Sequence, residues 1–140
     1  MSGRCFIDTN IWIYAATGKF SEPRKYAIAR ELIATEDFAV SAQIIGEFFV
    51  NVQKKKMKYP LTYAETMEWV EKISVFPCVE LDLNIARTAS ANVGRYKIQY
   101  FDSALLAQAE RYGATVFYSE DMNHGQLYGT VRAQNPFLAH

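Results

Sequence analysis

Short apolar runs alternate along this chain with longer segments in which apolar residues recur at helical spacing. The strand-like runs cover residues 4–7, 38–40, 78–81 and 114–118, and Val131 lies in a further short run. This alternation predicts an α/β fold with one parallel β-sheet that carries helices on both faces. Right-handed crossovers would then bring the carboxyl ends of the strands to one edge. At this length we expect one domain spanning residues 1–140.

Composition excludes several classes of protein. The chain is 50% apolar and 14% aromatic, which excludes disorder, and no apolar run approaches the ~18 residues of a membrane span. We therefore expect a soluble protein with no membrane partner. The first strand begins at residue 4 and leaves no room for a signal peptide, which favours the cytoplasm. Cys5 and Cys78 lie in apolar runs without zinc-ligand spacing, so both are predicted to be reduced core residues.

The charge balance argues against a global field for nucleic acid, because 15 basic and 15 acidic residues cancel. Any such binding must therefore be local. The dense basic stretch consists of Lys54, Lys55, Lys56 and Lys58, at the end of a helix predicted over residues 42–56. These lysines fit a solvated helix end beside the negative pole of the dipole, and they also fit contacts to RNA phosphates.

Asp8 is the first candidate for chemistry, since it ends the first strand and a helical segment follows at once. Ligands of open parallel sheets bind outside the carboxyl ends of the strands. Asp8 or Asn10 could equally cap the following helix, because both side chains accept hydrogen bonds from free helix N–H groups.

Glu47 is the second candidate. It lies between Gln43 and Asn51 on one polar line of an otherwise apolar helix, where an unpaired carboxylate would be unfavourable. A line of solvated surface residues explains the same pattern.

Two further acids belong to the second half of the chain. Asp102 opens a helix rich in small residues that Gly113 ends, and Asp121 follows the strand at 114–118. A plain N-cap explains Asp102 as well as a site does. Asp82 also follows a strand, but we expect it to be only a helix cap.

Together these acids suggest metal chemistry. Converging carboxylates would repel one another without cations, and hard oxygen ligands without Cys or His favour magnesium or manganese. The natural reaction of such a cluster is metal-assisted attack of water on a phosphodiester.

Four motifs in order resemble the PIN domain, and more closely its VapC-type toxin ribonucleases. The motifs are Phe6-Ile7-Asp8-Thr9-Asn10, Glu47 on its apolar helix, Tyr100-Phe101-Asp102-Ser103-Ala104-Leu105-Leu106-Ala107, and Ser119-Glu120-Asp121-Met122-Asn123-His124-Gly125-Gln126 with Asn135-Pro136-Phe137. The resemblance spans nearly the whole chain and implies a single PIN-like domain.

The resemblance also implies roles for individual residues. Asp8, Glu47 and Asp102 match the family's metal-binding catalytic acids, and Asp121 matches a fourth, more variable acid. Supporting polar positions are matched by Thr9, Asn10 and Ser119. The implied activity is a Mg²⁺- or Mn²⁺-dependent endoribonuclease acting on RNA, the toxin of a type II toxin–antitoxin pair. A homodimer and a cognate antitoxin protein are implied as well.

Three alternatives stay open from the sequence. Many PIN domains process RNA outside toxin pairs, and the same fold can serve as a non-catalytic nucleic-acid or protein-binding module. A receiver-like phosphoacceptor domain is the third, although the acid pair at its first strand and its late lysine are missing here.

Overall fold

The computed structural model describes residues 4–138, in which strands and helices alternate. Its strands are β1 (Cys5–Ile7), β2 (Phe38–Ser41), β3 (Cys78–Val79), β4 (Val116–Tyr118), β5 (Leu127–Tyr128) and β6 (Val131–Gln134). Its helices are α1 (Thr9–Thr17), α2 (Pro23–Thr35), α3 (Ala42–Val52), α4 (Tyr63–Ser74), α5 (Leu83–Tyr96) and α6 (Tyr100–Tyr112). Residues 1–3 and 139–140, which the predicted domain included, lie outside the described part.

The strands form one mostly parallel sheet in the order β3-β2-β1-β4-β6-β5, which confirms the predicted fold class. Ile7 pairs with Tyr118, which in turn pairs with Gln134. Strands β1, β4 and β6 therefore end at the same level. Only β5 is antiparallel, pairing with β6 across a turn at Gly129, whose φ is 61°. The sequence analysis did not predict this two-residue strand.

Helices cover both faces of the sheet. Every residue of β1 and β2 is buried, and successive side chains of a strand point to opposite faces. Contacts join α1, α2, α3 and α4 in one group, while α5 packs on α6. No helix within residues 4–138 is long and apolar enough to cross a bilayer.

The predicted end of α3 was wrong, because the helix ends at Val52 rather than near Lys56. Continuation of the helix would require the amide of Lys56 to reach the carbonyl of Val52. That carbonyl instead accepts a hydrogen bond of 2.8 Å from the amide of Leu61. The four lysines consequently lie in the turns after α3 and are exposed. The interpretation as a helix end therefore fails for them.

The two cysteines differ in burial. Cys5 is a core residue as predicted, with 2% exposure, but the prediction for Cys78 was wrong because its side chain is exposed. Cys78 belongs to β3, a two-residue strand at the edge of the sheet, where a neighbouring strand covers only one side.

Small buried residues let α5 and α6 approach each other closely. Ala89 of α5 and Ala104 and Ala107 of α6 are buried together with Ile85. The hydroxyl of Ser103 donates a 2.8 Å hydrogen bond to the carbonyl of Ala89. Since Asp102 precedes Ser103 in the chain, this packing also fixes the start of α6 relative to the sheet.

We expect Ala89→Leu to lower the free energy of unfolding by about 1–3 kcal/mol, because added methyl groups in a packed interface force neighbours apart. Urea unfolding of the purified protein measures the change. Ala91→Leu is the matched control, since Ala91 lies on the same helix but is exposed. Equal stability of the two variants would contradict close packing at Ala89.

Candidate active site

Asp8 is both a helix cap and a buried acid at the carboxyl end of β1. Its Oδ1 accepts a 2.7 Å hydrogen bond from the amide of Thr9, and its Oδ2 accepts one of 2.7 Å from the hydroxyl of Ser119. Only 4% of the residue is exposed. Capping is therefore confirmed, and it holds the carboxylate at the sheet edge where strand β4 also ends.

Burial changes the protonation of this acid. It raises the pKa of Asp8 from 3.8 to about 7, against the lowering effect of the hydrogen bonds from Ser119 and Thr9, while the charges of Asp102 and Glu47 raise it further. Thr9 donates to Asp8 through its backbone amide and to Glu47 through its hydroxyl, so these two carboxylates flank the same residue.

Glu47 accepts one hydrogen bond from α1 and one from its own helix, α3. Its Oε1 accepts a hydrogen bond of 2.7 Å from the hydroxyl of Thr9, and its Oε2 accepts one of 3.0 Å from the side-chain amide of Gln43. The same amide of Gln43 donates to the carbonyl of Phe101 in α6 at 2.9 Å. Glu47 is half-buried rather than part of a solvated line, so the surface interpretation is wrong for this residue.

Asp102 occupies the third position of α6 and is half-buried. The N-cap of this helix is Gln99, so the capping interpretation of Asp102 is wrong. Burial raises the pKa of Asp102, and the charges of Asp121 and Glu47 raise it further. Among the described residues, no donor is hydrogen-bonded to its carboxylate.

Asn10 connects the fourth acid to the first. Its amide nitrogen lies 2.9 Å from Oδ2 of Asp121, 3.3 Å from the hydroxyl of Ser119 and 3.4 Å from Oδ2 of Asp8. The amide of Asp121 also donates to the hydroxyl of Ser119 at 3.0 Å. The predicted polar residues Thr9, Asn10 and Ser119 thus each contact an acid.

An open cleft of about 500 Å³ adjoins these acids. Its lining consists of Lys97, Ile98, Gln99, Asp102, Asp121, Met122, Asn123 and Tyr128. Asp102 and Asp121 therefore face a space that a polar substrate can enter from solvent. The sequence analysis singled out neither Lys97 nor Gln99, since both precede the recognised helix.

The acids suit a divalent cation by the type of their ligand atoms, but they do not surround a single ion. Their oxygens are hard ligands, and burial raises the pKa values of Asp8 and Asp102, with a smaller contribution from neighbouring acid charges that a cation would relieve. Within residues 4–138, however, no three Asp, Glu, His or Cys side chains are grouped closely enough to hold one ion together. Mg²⁺ commonly binds one or two carboxylates and keeps several waters.

Other charged candidates lie outside this cluster. Asp82 caps α5 through the amide of Ile85 at 3.0 Å and pairs with Arg111 at 2.5 Å, so it is a structural cap as expected. None of the lysines at positions 54–56 and 58 lines the described wall of the cleft.

Comparison with known proteins identifies the family. The PIN domain model matches residues 5–129, so the chain belongs to the PIN domain family. No curated protein sequence matches the chain.

Solved structures share the fold at low sequence identity. A toxin–antitoxin complex from Klebsiella pneumoniae superposes with a TM-score of 0.67 and 20% identity, covering 94% of this chain and 97% of that chain. VapC20 of Mycobacterium tuberculosis, a toxin that cleaves the sarcin–ricin loop, gives 0.66 and 13%, covering 84% and 91%. DNA-bound VapBC from Salmonella typhimurium gives 0.64 and 18%, covering 97% and 99%.

The raised pKa of Asp8 predicts how metal-free stability depends on pH. The carboxyl group ionises near pH 3.8 in the unfolded chain but only at about 7 in the folded protein. Between these values the folded state holds more protons, so the free energy of unfolding falls as pH rises, by up to about 1.4 kcal/mol per pH unit. Asp8→Asn removes this titration. The variant should show a flatter pH dependence and should melt at or above the parent near pH 8.

Calorimetry in the presence of a chelator measures both effects. Asp82→Asn is the control, because Arg111 lowers the pKa of Asp82 and the Asn side chain can still cap α5. This control should leave the slope between about pH 5 and 7 unchanged. A parent whose stability is constant over that interval would contradict the buried, protonated state of Asp8.

Proposed function

We propose that this protein is a metal-dependent endoribonuclease and the toxin of a type II toxin–antitoxin pair. The observation that carries the proposal is the placement of the four acids Asp8, Glu47, Asp102 and Asp121 around one edge of the sheet. Hydrogen bonds through Thr9, Asn10 and Ser119 join Asp8, Glu47 and Asp121, and the charges of Asp121 and Glu47 add to the effect of burial in raising the pKa of Asp102. A purely structural role would not require four carboxylates at one edge of the sheet, two of which, Asp102 and Asp121, line an open cleft, since burial of charge opposes folding.

Asp8, Glu47, Asp102 and Asp121 would hold Mg²⁺ or Mn²⁺. When bound, such a cation lowers the pKa of water and stabilises the leaving oxygen of a phosphodiester. The protein's own contribution is to orient the carboxylates. Neutral donors from Thr9 and Ser119 orient Asp8 and Glu47 without pairing either carboxylate with a cation of the protein.

RNA is the proposed substrate, and the cleft beside Asp102 and Asp121 is the proposed place for its scissile phosphodiester. The opening is lined by polar groups, including those of Gln99 and Asn123, that can hydrogen-bond to a sugar-phosphate backbone. VapC20, which shares the fold, is described as cleaving the sarcin–ricin loop. For this chain the particular RNA is left open by the proposal.

A cognate antitoxin is the proposed protein partner. The structural neighbours include a toxin–antitoxin complex and a DNA-bound VapBC. We further propose that the protein acts as a homodimer in the cytoplasm. Induction in a bacterial host should arrest growth, and co-expression of the proposed cognate antitoxin should relieve the arrest. Robust growth on induction of an RNA-cleaving protein would favour an RNA-processing nuclease instead.

The nuclease proposal predicts cleavage of single-stranded RNA with Mg²⁺ or Mn²⁺ and none in excess chelator. Asp8→Asn and Asp102→Asn should each lower the rate at least about a hundredfold, the scale of losing one electrostatic or proton-transfer group. A gel assay with labelled RNA measures both. Asp82→Asn should cleave at the parental rate, since this acid lies outside the cluster.

Unabated cleavage in chelator would reject the metal requirement. Near-parental rates in both site variants would reject the assigned acids. Tight RNA binding without cleavage under any metal would point to a non-catalytic module on the same fold.

We also propose that Lys54, Lys55, Lys56 and Lys58 guide RNA by contacting phosphates, since all four side chains are exposed. Changing them to Gln should weaken binding and flatten the plot of log affinity against log salt, by up to roughly 2.8 in slope for four lost contacts. Catalysis at saturating RNA should survive. Arg87→Gln with Arg95→Gln, both exposed on α5, provides the control. An unchanged slope in the lysine variant would mean that these side chains are merely solvated.

A further inference from the structure

Glu120 lies between Ser119 and Asp121, yet its side chain contacts a different set of residues. Its carboxylate accepts a hydrogen bond from the hydroxyl of Tyr14 on α1 and pairs with Nζ of Lys25 on α2 at 2.8 Å. The side chains of Lys25 and Glu120 are 28% and 23% exposed, so this ion pair is partly shielded from water.

Aromatic packing holds Lys25 in place. Its Nζ lies 3.3 Å from the Tyr14 hydroxyl, 5.0 Å from the centre of the Tyr14 ring and 5.5 Å from that of Phe137. The rings of Tyr14 and Phe137 meet edge to face at 5.2 Å. Such contacts between a cation and ring faces add to the ion pair when water is partly excluded. The lysine is therefore restricted to a small region around Glu120.

Helix α1 reaches the segment after β4 at two successive turns. Asn10 contacts Ser119 and Asp121, and Tyr14, four residues later on the same face, contacts Glu120. All three residues that follow β4 are thus tied to α1, and Glu120 is tied to α2 as well. Asp121 itself is exposed and has one side-chain hydrogen bond, from Asn10.

We propose that Tyr14, Lys25 and Glu120 form a clamp that positions Asp121 for the proposed nuclease reaction. This inference rests on the proposed function, and it assigns the clamp residues a positioning role rather than contact with RNA or metal. An exposed acid on a short connection keeps its place only while the neighbouring residues are held. Misplacement of about 1 Å in a catalytic group can lower a rate by roughly a hundredfold.

The clamp also separates a fifth carboxylate from the four acids of the site. Glu120 is adjacent to Asp121 in sequence, but Lys25 balances its charge. The acids of the cluster receive hydrogen bonds only from neutral donors of the described chain. Charge balance thus distinguishes the positioning carboxylate from the four proposed for the metal.

Steady-state cleavage of single-stranded RNA with Mn²⁺ tests the clamp. Lys25→Met and Glu120→Gln should each lower kcat at least about tenfold with KM within about twofold of the parent, because substrate contacts are unchanged. The double variant should be no slower than the worse single variant, since residues that act as a unit are non-additive. Lys25→Arg keeps the cation and should restore most of kcat.

The matched control is the other ion pair of the described residues, Arg111 with Asp82, which joins α6 to the start of α5. Arg111→Met and Asp82→Asn remove that pair without touching the cleft, and each should keep the parental kcat. Additive losses at Lys25 and Glu120, a purely KM effect, or an equal loss of kcat in the control pair would overturn the clamp.

Amide hydrogen exchange tests the clamp independently of RNA cleavage. The amide of Asp121 donates to Ser119, so its exchange reports directly on the held segment. It should accelerate at least about tenfold in Lys25→Met and Glu120→Gln at unchanged global stability, and stay parental in the control pair. Parental exchange in the clamp variants overturns the clamp. A parent that cleaves no RNA, with exchange still accelerated in the variants, rejects the activity while the clamp stands.

Discussion

The structure depends on burial of one carboxylate at the junction between β1 and α1. Asp8 ends the central strand, caps the first helix and is nearly inaccessible to water. An ionised group in this position is unfavourable, so its pKa rises to about 7, and the hydrogen bonds from Thr9 and Ser119 recover only part of the lost solvation. Burial of this carboxylate therefore lowers the stability of the fold at the edge of the sheet where strands end and helices begin.

The side chains hydrogen-bonded to the acids of the site orient them without supplying a positive charge. Thr9, Asn10, Gln43 and Ser119 are neutral donors, and they orient the carboxylates without neutralising them. Lys25 is paired with Glu120, whereas Lys97 lines the cleft beside Asp102 and Asp121. A cluster oriented in this way attracts a cation from solution more strongly than one whose charges are already paired. The neutral donors therefore orient the carboxylates, and the acids themselves supply the negative charge.

The structural neighbours show that the fold tolerates large changes in sequence within the PIN domain family. Structures only 13–20% identical still superpose over most of the chain. A parallel sheet covered on both faces needs apolar residues of suitable size rather than particular ones. The acids and their donors instead require defined positions at the strand ends, where the backbone of β1 and β4 fixes them in register.

The sequence by itself determined the α/β class, the sheet with helices on both faces and the end of α6 at Gly113, because these follow from local periodicity and cap chemistry. It also named the four acids, although the patterns of Asp8 and Asp102 fitted helix caps equally well and that of Glu47 fitted a line of solvated surface residues. Tertiary structure decided, for each acid, between a place in the site and a purely structural role. Asp8 proved to be a cap that lies among other acids, Asp102 proved not to be a cap, and Asp82 proved to be only one. Several other features depend on contacts between residues that are far apart in the chain. The end of α3, for example, depends on the hydrogen bond from Leu61 to Val52. The same holds for the exposure of Cys78, the β5 strand and the roles of Gln43 and Glu120. Local patterns cannot encode such contacts, because the partners meet only once the sheet has assembled.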